Sequence, residues 1–219
     1  MYFPSLYPDE HVYSGLIRSR YLSGQMFVND KRFFELNELP YHWIRSQTPL
    51  CSHLKEVINK VSDDPSVRFK LRLFHTPFAP WLLSLPQEIE AKDLIDSGMR
   101  NNLEENPFAT DRRWKFCPTC AENEVKNYGV SYWHSSHQSL GARVCPVHQT
   151  PLYSHDEIRY LDFTLPHHNI EKSEPLLIDS KWQQEWQPFI YSLTTHIQKN
   201  INWPASLSSF IKEHLGLNE

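Results

Sequence analysis

Cys117, Cys120, Cys145 and His148 fall in the pattern C-x2-C-x24-C-x2-H, and this pattern limits the fold more than anything else in the chain. Two ligands separated by two residues reach one metal ion from a tight turn, and three thiolates with one imidazole complete a tetrahedron around zinc. The two turns also match each other. Each reads Cys-Pro-x-ligand, and each follows an apolar residue, Phe116 or Val144. Pro118 and Pro146 stiffen them. Four protein ligands leave no coordination position for water or substrate, so the spacing predicts one structural Zn2+. Binding of this kind contributes roughly 10–16 kcal/mol of apparent folding free energy in small zinc peptides.

The rest of the composition fits an intracellular protein with a metal staple. With 40% hydrophobic and 13% aromatic residues over 219 positions, the chain can bury a core. It shows no run of eighteen apolar residues, and "MYFPSLYPDE" lacks the basic start and apolar stretch of a secretory signal, which predicts a cytoplasmic protein with no membrane partner. The fourth cysteine, Cys51, stands alone, so a disulfide framework is disfavoured and a buried lone thiol near His53 is expected. Six glycines are too few for an open α/β sheet with phosphate loops, whereas sixteen prolines mark helix ends. Segment 111–150 carries Arg112, Arg113, Lys115, Lys126 and Arg143 against three acids, for a net charge of +2. Segment 151–219 has five basic and nine acidic residues, for −4. Neither segment has the basic excess of a domain that grips DNA by itself.

The pattern along the chain is mainly α. In "YPDEHVYSGLIRSRYLSG", Pro8, Asp9 and Glu10 predict a helix start, Val12, Leu16 and Ile17 an apolar face with Tyr13 beside it, and Gly24 a stop. This predicts a surface helix docked on a core, with Arg18 and Arg20 on its flanks. Further helices are expected over 54–61, more weakly over 88–105, over 182–201 with a kink or a late start at Pro188, and from Ser206 to Gly216. Segment 67–74 fits a strand or a short helix equally well. Residues 153–180 read as a linker or meandering loop.

Between the metal-ligand turns, Gly129 and Gly141 bracket Tyr128, Tyr132 and Trp133, which are expected in the core of the module, and then His134 and His137, expected on the surface or hydrogen-bonded. No spare cysteines support a second metal at that His-x2-His pair. A zinc deaminase needs His-x-Glu ahead of Pro-Cys-x-x-Cys. Here His155-Asp156-Glu157 follows the cysteines, and Phe116 stands where that proline belongs. Walker, Gly-x-Ser-x-Gly and His-Glu-x-x-His motifs are absent from the sequence. An enzyme is not expected.

Two stretches, "FPSLYPDEHVYSGLIRSRYLSG" and "FCPTCAENEVKNYGVSYWHSSHQSLGARVCPVHQTPL", lie about ninety residues apart. Together they resemble the TniQ/TnsD family of transposon target-site selection proteins, whose signature runs from a Phe-Pro…Glu…Ser start to a Cys-Pro-x-Cys…Tyr-Gly…Tyr-Trp…Cys-Pro-x-His core. The resemblance covers roughly residues 1–152. It places Cys117, Cys120, Cys145 and His148 on the family's zinc ligands, and Phe3, Pro4, Glu10 and Ser14 on its N-terminal signature. Longer members carry a second ligand set and extended helix-turn-helix regions. "SLSSFIKEHLGL" is similar to the opening helix of such a region.

The resemblance implies a bacterial, non-enzymatic adaptor, nucleoid-associated when assembled. Such an adaptor recruits an AAA+ transposition ATPase of the TnsC kind to target DNA or to a CRISPR effector complex. A homodimer is compatible with this reading. The expected organisation is an N-terminal helical domain over 1–110, an inserted Cys3His zinc-ribbon-like module over 111–152, and a C-terminal helical segment over 153–219, with room for the start of a helix-turn-helix region. Arg18, Arg20, Arg112, Arg113 and Lys115 are the candidates for touching a phosphate backbone or an acidic partner. The main rival is a stand-alone zinc-containing DNA-binding regulator, which would bind duplex without other components.

Overall fold

The computed structural model describes residues 3–38, 59, 63, 113–139, 141–154, 164–199, 209–210 and 212–214. Among these the chain is helix-rich with few strands. Helix α1 spans Val12–Leu22, α2 Asp30–Leu36, α3 Pro118–Tyr128 and α4 Lys181–Lys199. Strands β1 (Tyr153–Ser154) and β2 (Glu174–Pro175) pair antiparallel, with Tyr153 opposite Pro175 and Ser154 opposite Glu174. Short 3-10 turns cover Ser136–Gln138, Pro166–His168 and Ile170–Lys172. No helix among the described residues is long and apolar enough to cross a membrane.

Helix α1 is buried on every side from Val12 to Arg20, not only along its apolar stripe. The expected surface helix is therefore a central one. Its polar positions can be interior because each is bonded: Ser14 Oγ accepts from the Trp133 N–H at 3.0 Å, and Ser19 Oγ donates to the Leu16 carbonyl. Gly15 lets the N-terminal segment lie directly on the helix. A Cβ there would stand 2.6 Å from Leu6 Cδ2 and 2.9 Å from Phe3 Cε1.

The helix also starts later than Pro8. His11 is the cap, its Nδ1 accepting from the Tyr13 N–H, while Asp9 adopts φ 60°. Pro8, Asp9 and Glu10 thus form a turn rather than a first helical turn, because both carboxylates have partners elsewhere. Asp9 accepts from Ser136, and Glu10 from Arg18 and the Tyr7 N–H.

That turn fastens α1 to the cysteine region. The His11 N–H donates to the Trp133 carbonyl at 2.8 Å, and the Ser135 N–H to the Asp9 carbonyl at 2.8 Å. Trp114 and Trp133, both fully buried, sit 5.5 Å apart between centroids, with Tyr13 and Phe116 beside them. One aromatic core therefore serves residues 3–38 and the cysteine region together. The boundary expected between 110 and 111 lies outside the described residues. So do most of helix 54–61, all of 67–74 and 88–105, Cys51 and His53, and the ends of the last helix.

The linker expected over 153–180 is, from residue 164 on, an ordered strap. Trp133 Nε1 donates to the Thr164 carbonyl, His167 Nδ1 lies 2.7 Å from Ser131 Oγ, and the Leu176 N–H donates to the Leu152 carbonyl. Leu165 and Leu176 are buried. Its 3-10 turns and two-residue strands carry no long hydrophobic period, so sequence patterning has nothing to register. Helix α4 runs through Pro188 from Lys181, so the proline lies inside the helix and not at its start.

Candidate metal centre

The four expected ligands converge. Two backbone devices bring them together. Cys117 is the cap of α3, Pro118 opens that helix, and Cys120 sits one turn in, so both sulfurs point off one helix start. The second turn closes with the Cys145 N–H donating to the Thr150 carbonyl and the Gln149 N–H to the Cys145 carbonyl, with Gln149 at φ 55°. The apolar lead residues align the two turns with the short stretch 151–153: Phe116 pairs with Tyr153, and Val144 with Pro151.

The distances suit zinc. A tetrahedral ion with Zn–S of about 2.3 Å and Zn–N of about 2.0–2.1 Å has sulfur–sulfur edges of about 3.8 Å and sulfur–nitrogen edges of about 3.6 Å. Here Cys120 and Cys145 Sγ lie 3.7 Å apart, and His148 Nδ1 lies 3.5, 3.3 and 3.6 Å from the sulfurs of Cys117, Cys120 and Cys145. All three cysteines are buried and free of disulfides, packed with Ala142, Leu152 and Leu176. This group is able to hold a metal ion and is compatible with zinc.

Electrostatics favours a cation in the same place. Hydrogen bonds from Cys120 and Cys145 draw the Cys117 thiol far below its ordinary range. The Cys120 and Cys145 thiols, bonded to Cys117 and desolvated, are pushed up. Without an ion one thiolate thus suppresses ionisation of the other two sulfurs, and a divalent cation would let all three ionise. Two further residues, invisible in the spacing, support the ligands. Thr150 Oγ1 lies 3.6 Å from Cys117 Sγ, and the Asn123 amide lies 3.5 Å from His148 Nε2. With Nδ1 facing the sulfurs, Nε2 carries the proton and needs an acceptor, a role the Asn123 oxygen fills once the amide is turned.

A family model described as TniQ matches residues 1–152. The chain belongs to the TniQ family. No curated protein and no solved structure matches it. TniQ proteins serve target selection in transposition, together with other transposition proteins and DNA. In this TniQ chain the matched span holds the whole ligand set and the α1 core. Its signature residues have structural partners: Phe3 lies over Gly15, Glu10 binds Arg18, and Ser14 binds Trp133.

The basic candidates divide. Arg18 is buried, its Nε and Nη2 donating to Glu10 at 2.8 and 2.6 Å, its Nη2 also to the Ser5 carbonyl, and its guanidinium lying 4.2 Å from the Tyr7 ring centroid. Arg20 is buried against Asp30 at 2.8 Å and the Val28 carbonyl. Lys115 is buried, its Nζ donating to the Ser139 and Ala142 carbonyls at 3.1 and 3.2 Å. A partner's phosphate could reach none of them without breaking those bonds. Arg113 borders a cleft, and Arg112 lies outside the described residues.

Tyr132 and Trp133 are buried core. The two neighbouring histidines behave differently from each other. His134 lies between acids, Nε2 2.5 Å from Glu124 and Nδ1 3.2 Å from Asp9. Cys120, Glu124 and His134 stand close enough to suggest a second cation site, but Cys120 belongs to the first cluster and both nitrogens of His134 are engaged. His137, stacked on His134 at 4.5 Å, is fully buried with neither nitrogen hydrogen-bonded, and burial keeps it neutral.

Burial alone would push the His134 pKa down, but the bonds to Asp9 and Glu124 outweigh it and hold it at about 9. A histidine whose folded pKa lies above its unfolded value of about 6.5 contributes stability below that value and loses it as pH rises through the folded pKa. The metal-loaded protein is therefore expected to lose up to about 3 kcal/mol between pH 6.5 and 9, read as a falling urea midpoint. His134→Gln should flatten that slope.

Proposed function

We propose that the chain is a non-enzymatic target-selection adaptor in DNA transposition. It carries one structural Zn2+ on Cys117, Cys120, Cys145 and His148, and it recruits a TnsC-like AAA+ ATPase to a site chosen by DNA binding or by a CRISPR effector complex. The observation that carries this reading is the closed Cys3His cluster bound to the α1 core within the TniQ-matched span. Four protein donors give a rigid scaffold and no vacant position for chemistry. A patch at the α1–α2 turn supports a docking role, since Leu22, Met26 and Phe27 stand in solvent and Phe27 is 98% exposed. Apolar area of this kind is what a protein partner covers. The compartment that fits is the bacterial cytoplasm.

The test is co-sedimentation of the zinc-loaded chain with a cognate AAA+ ATPase on DNA, with and without ATP. Joint pelleting that requires ATP is the expected result. Tight binding to bare duplex at physiological salt, with no ATP-dependent joint assembly, would replace the adaptor by the stand-alone regulator.

A further inference from the structure

Lys115 is 2% exposed, and a lysine is almost never enclosed so fully unless its ammonium is held by partners. Those partners show what the side chain holds. Nζ donates to the Ser139 carbonyl at 3.1 Å and to the Ala142 carbonyl at 3.2 Å. Both belong to one turn, closed by the Ala142 N–H donating to the Ser139 carbonyl, with Gly141 inside it at φ 70°. This turn leads into the second ligand pair, ending three residues before Cys145, while Lys115 itself stands two residues before Cys117. One side chain thus spans the approaches to both pairs.

The main chain of Lys115 is tied to the same stretch. Its N–H donates to Gln138 Oε1 at 3.0 Å, and Gln138 Nε2 donates to the Lys115 carbonyl at 2.7 Å and to the His134 carbonyl at 3.0 Å. Gln138 is buried as well. The bonds that join Lys115 to residues 138–142 use main-chain and side-chain groups outside the ligand set, so they fix one turn against the other without drawing on the sulfurs or the imidazole. That separation matters to an ion. Tetrahedral zinc fixes its ligand–ligand edges closely, and residues behind the ligands govern how well those edges are met.

We propose that Lys115 is a positioning residue of the metal centre: with Gln138 it sets the separation of the two ligand turns, so that three sulfurs and one nitrogen meet at the spacing zinc requires. The inference rests on the metal reading of the Cys3His cluster and extends it to a side chain outside the ligand set. An apolar side chain of the same length would fill the space and still deprive two carbonyls of this donor. The turn before Cys145 would then be free to shift.

The experiment is cobalt substitution in the full chain, read by the visible d–d bands and the sulfur-to-metal charge-transfer bands, with zinc affinity measured by competition against a chromophoric chelator. Tetrahedral sulfur–nitrogen sites that take Zn2+ also take Co2+, whose bands report ligand geometry. Lys115→Met should weaken zinc binding about tenfold, the lower end of what losing a supporting residue costs a metal site, and should shift and broaden the cobalt bands. Lys115→Arg, which keeps donors for both carbonyls, should restore most of the affinity. Gln138→Met should move the same readouts in the same direction, and it carries the test if Lys115→Met does not fold. Ile17→Val, a trim in the buried core of α1, should lower the urea midpoint and leave the bands in place. A parent protein without cobalt–thiolate bands would sink the metal reading and this inference with it. Parent bands that neither Lys115→Met nor Gln138→Met shifts, an unchanged zinc competition curve in Lys115→Met, or an equal band shift with Ile17→Val would overturn the positioning role alone.

Discussion

Removing the metal ion is expected to collapse the cysteine region. Structural zinc in small peptides contributes roughly 10–16 kcal/mol of apparent binding free energy, as much as the whole stability of a typical domain. In this protein the ion would join the start of α3 to the second turn, and the aromatic core lies directly behind them, with Phe116 next to Cys117. Chelation, or Cys145→Ala, should therefore shift the emission of the buried Trp114 and Trp133 to the red and lower the metal content from one equivalent per chain to near zero. The three buried thiols, freed from disulfides and ion alike, would then react with a thiol reagent. Purified protein that contains no metal and still shows blue-shifted emission would refute the zinc centre.

The second large effect is expected at Glu10, far from the cysteines in sequence. Its carboxylate is fully enclosed and takes both Nε and Nη2 of Arg18. Truncation to Ala leaves the guanidinium buried without its counter-charge, which costs about 3–5 kcal/mol when one partner of an enclosed pair is removed. Arg18→Lys should also be damaging, because one ammonium cannot replace a two-pronged contact. The double variant Glu10→Leu with Arg18→Leu should recover much of the loss, since apolar substitution of both partners avoids the desolvation penalty. Urea unfolding of the zinc-loaded protein measures all three. A loss below about 1 kcal/mol for Glu10→Ala would mean that the pair is solvated like an ordinary surface bridge.

These two sites show what could be read from the sequence. The Cys3His cluster is legible because metal coordination demands a residue type at each position and a fixed separation within each pair, and Cys-Pro-x-ligand occurs twice. Helix α4 was legible because Trp186, Phe189, Ile190 and Leu193 recur at helical steps. Arg18, Arg20 and Lys115 were misjudged as partner-facing for one reason: a cation in sequence carries no mark of whether an acid or a carbonyl waits for it inside. For Arg18 the signal existed in Glu10, but a helix assumed to begin at Pro8 assigned that carboxylate to the helix terminus. For Lys115 the clue was its place between Trp114 and Phe116, two residues with every reason to be buried. Asp9, Glu124 and His134 form their network across more than a hundred residues, and only tertiary structure brings such partners together.

Helix α4 lies beyond the span that defines the family, yet it completes the second metal-ligand turn. Gln187 accepts from the N–H groups of Arg143 and Val144 and donates to the Gly141 carbonyl. Trp186 lies so close over Gly141 that a methyl group there would stand 2.7 Å from its indole nitrogen. A chain cut at residue 152 is therefore expected to lose the Gln187 bonds to these peptide groups and the Trp186 ring packed on Gly141. The span matched by the family model ends before the helix that packs on this turn.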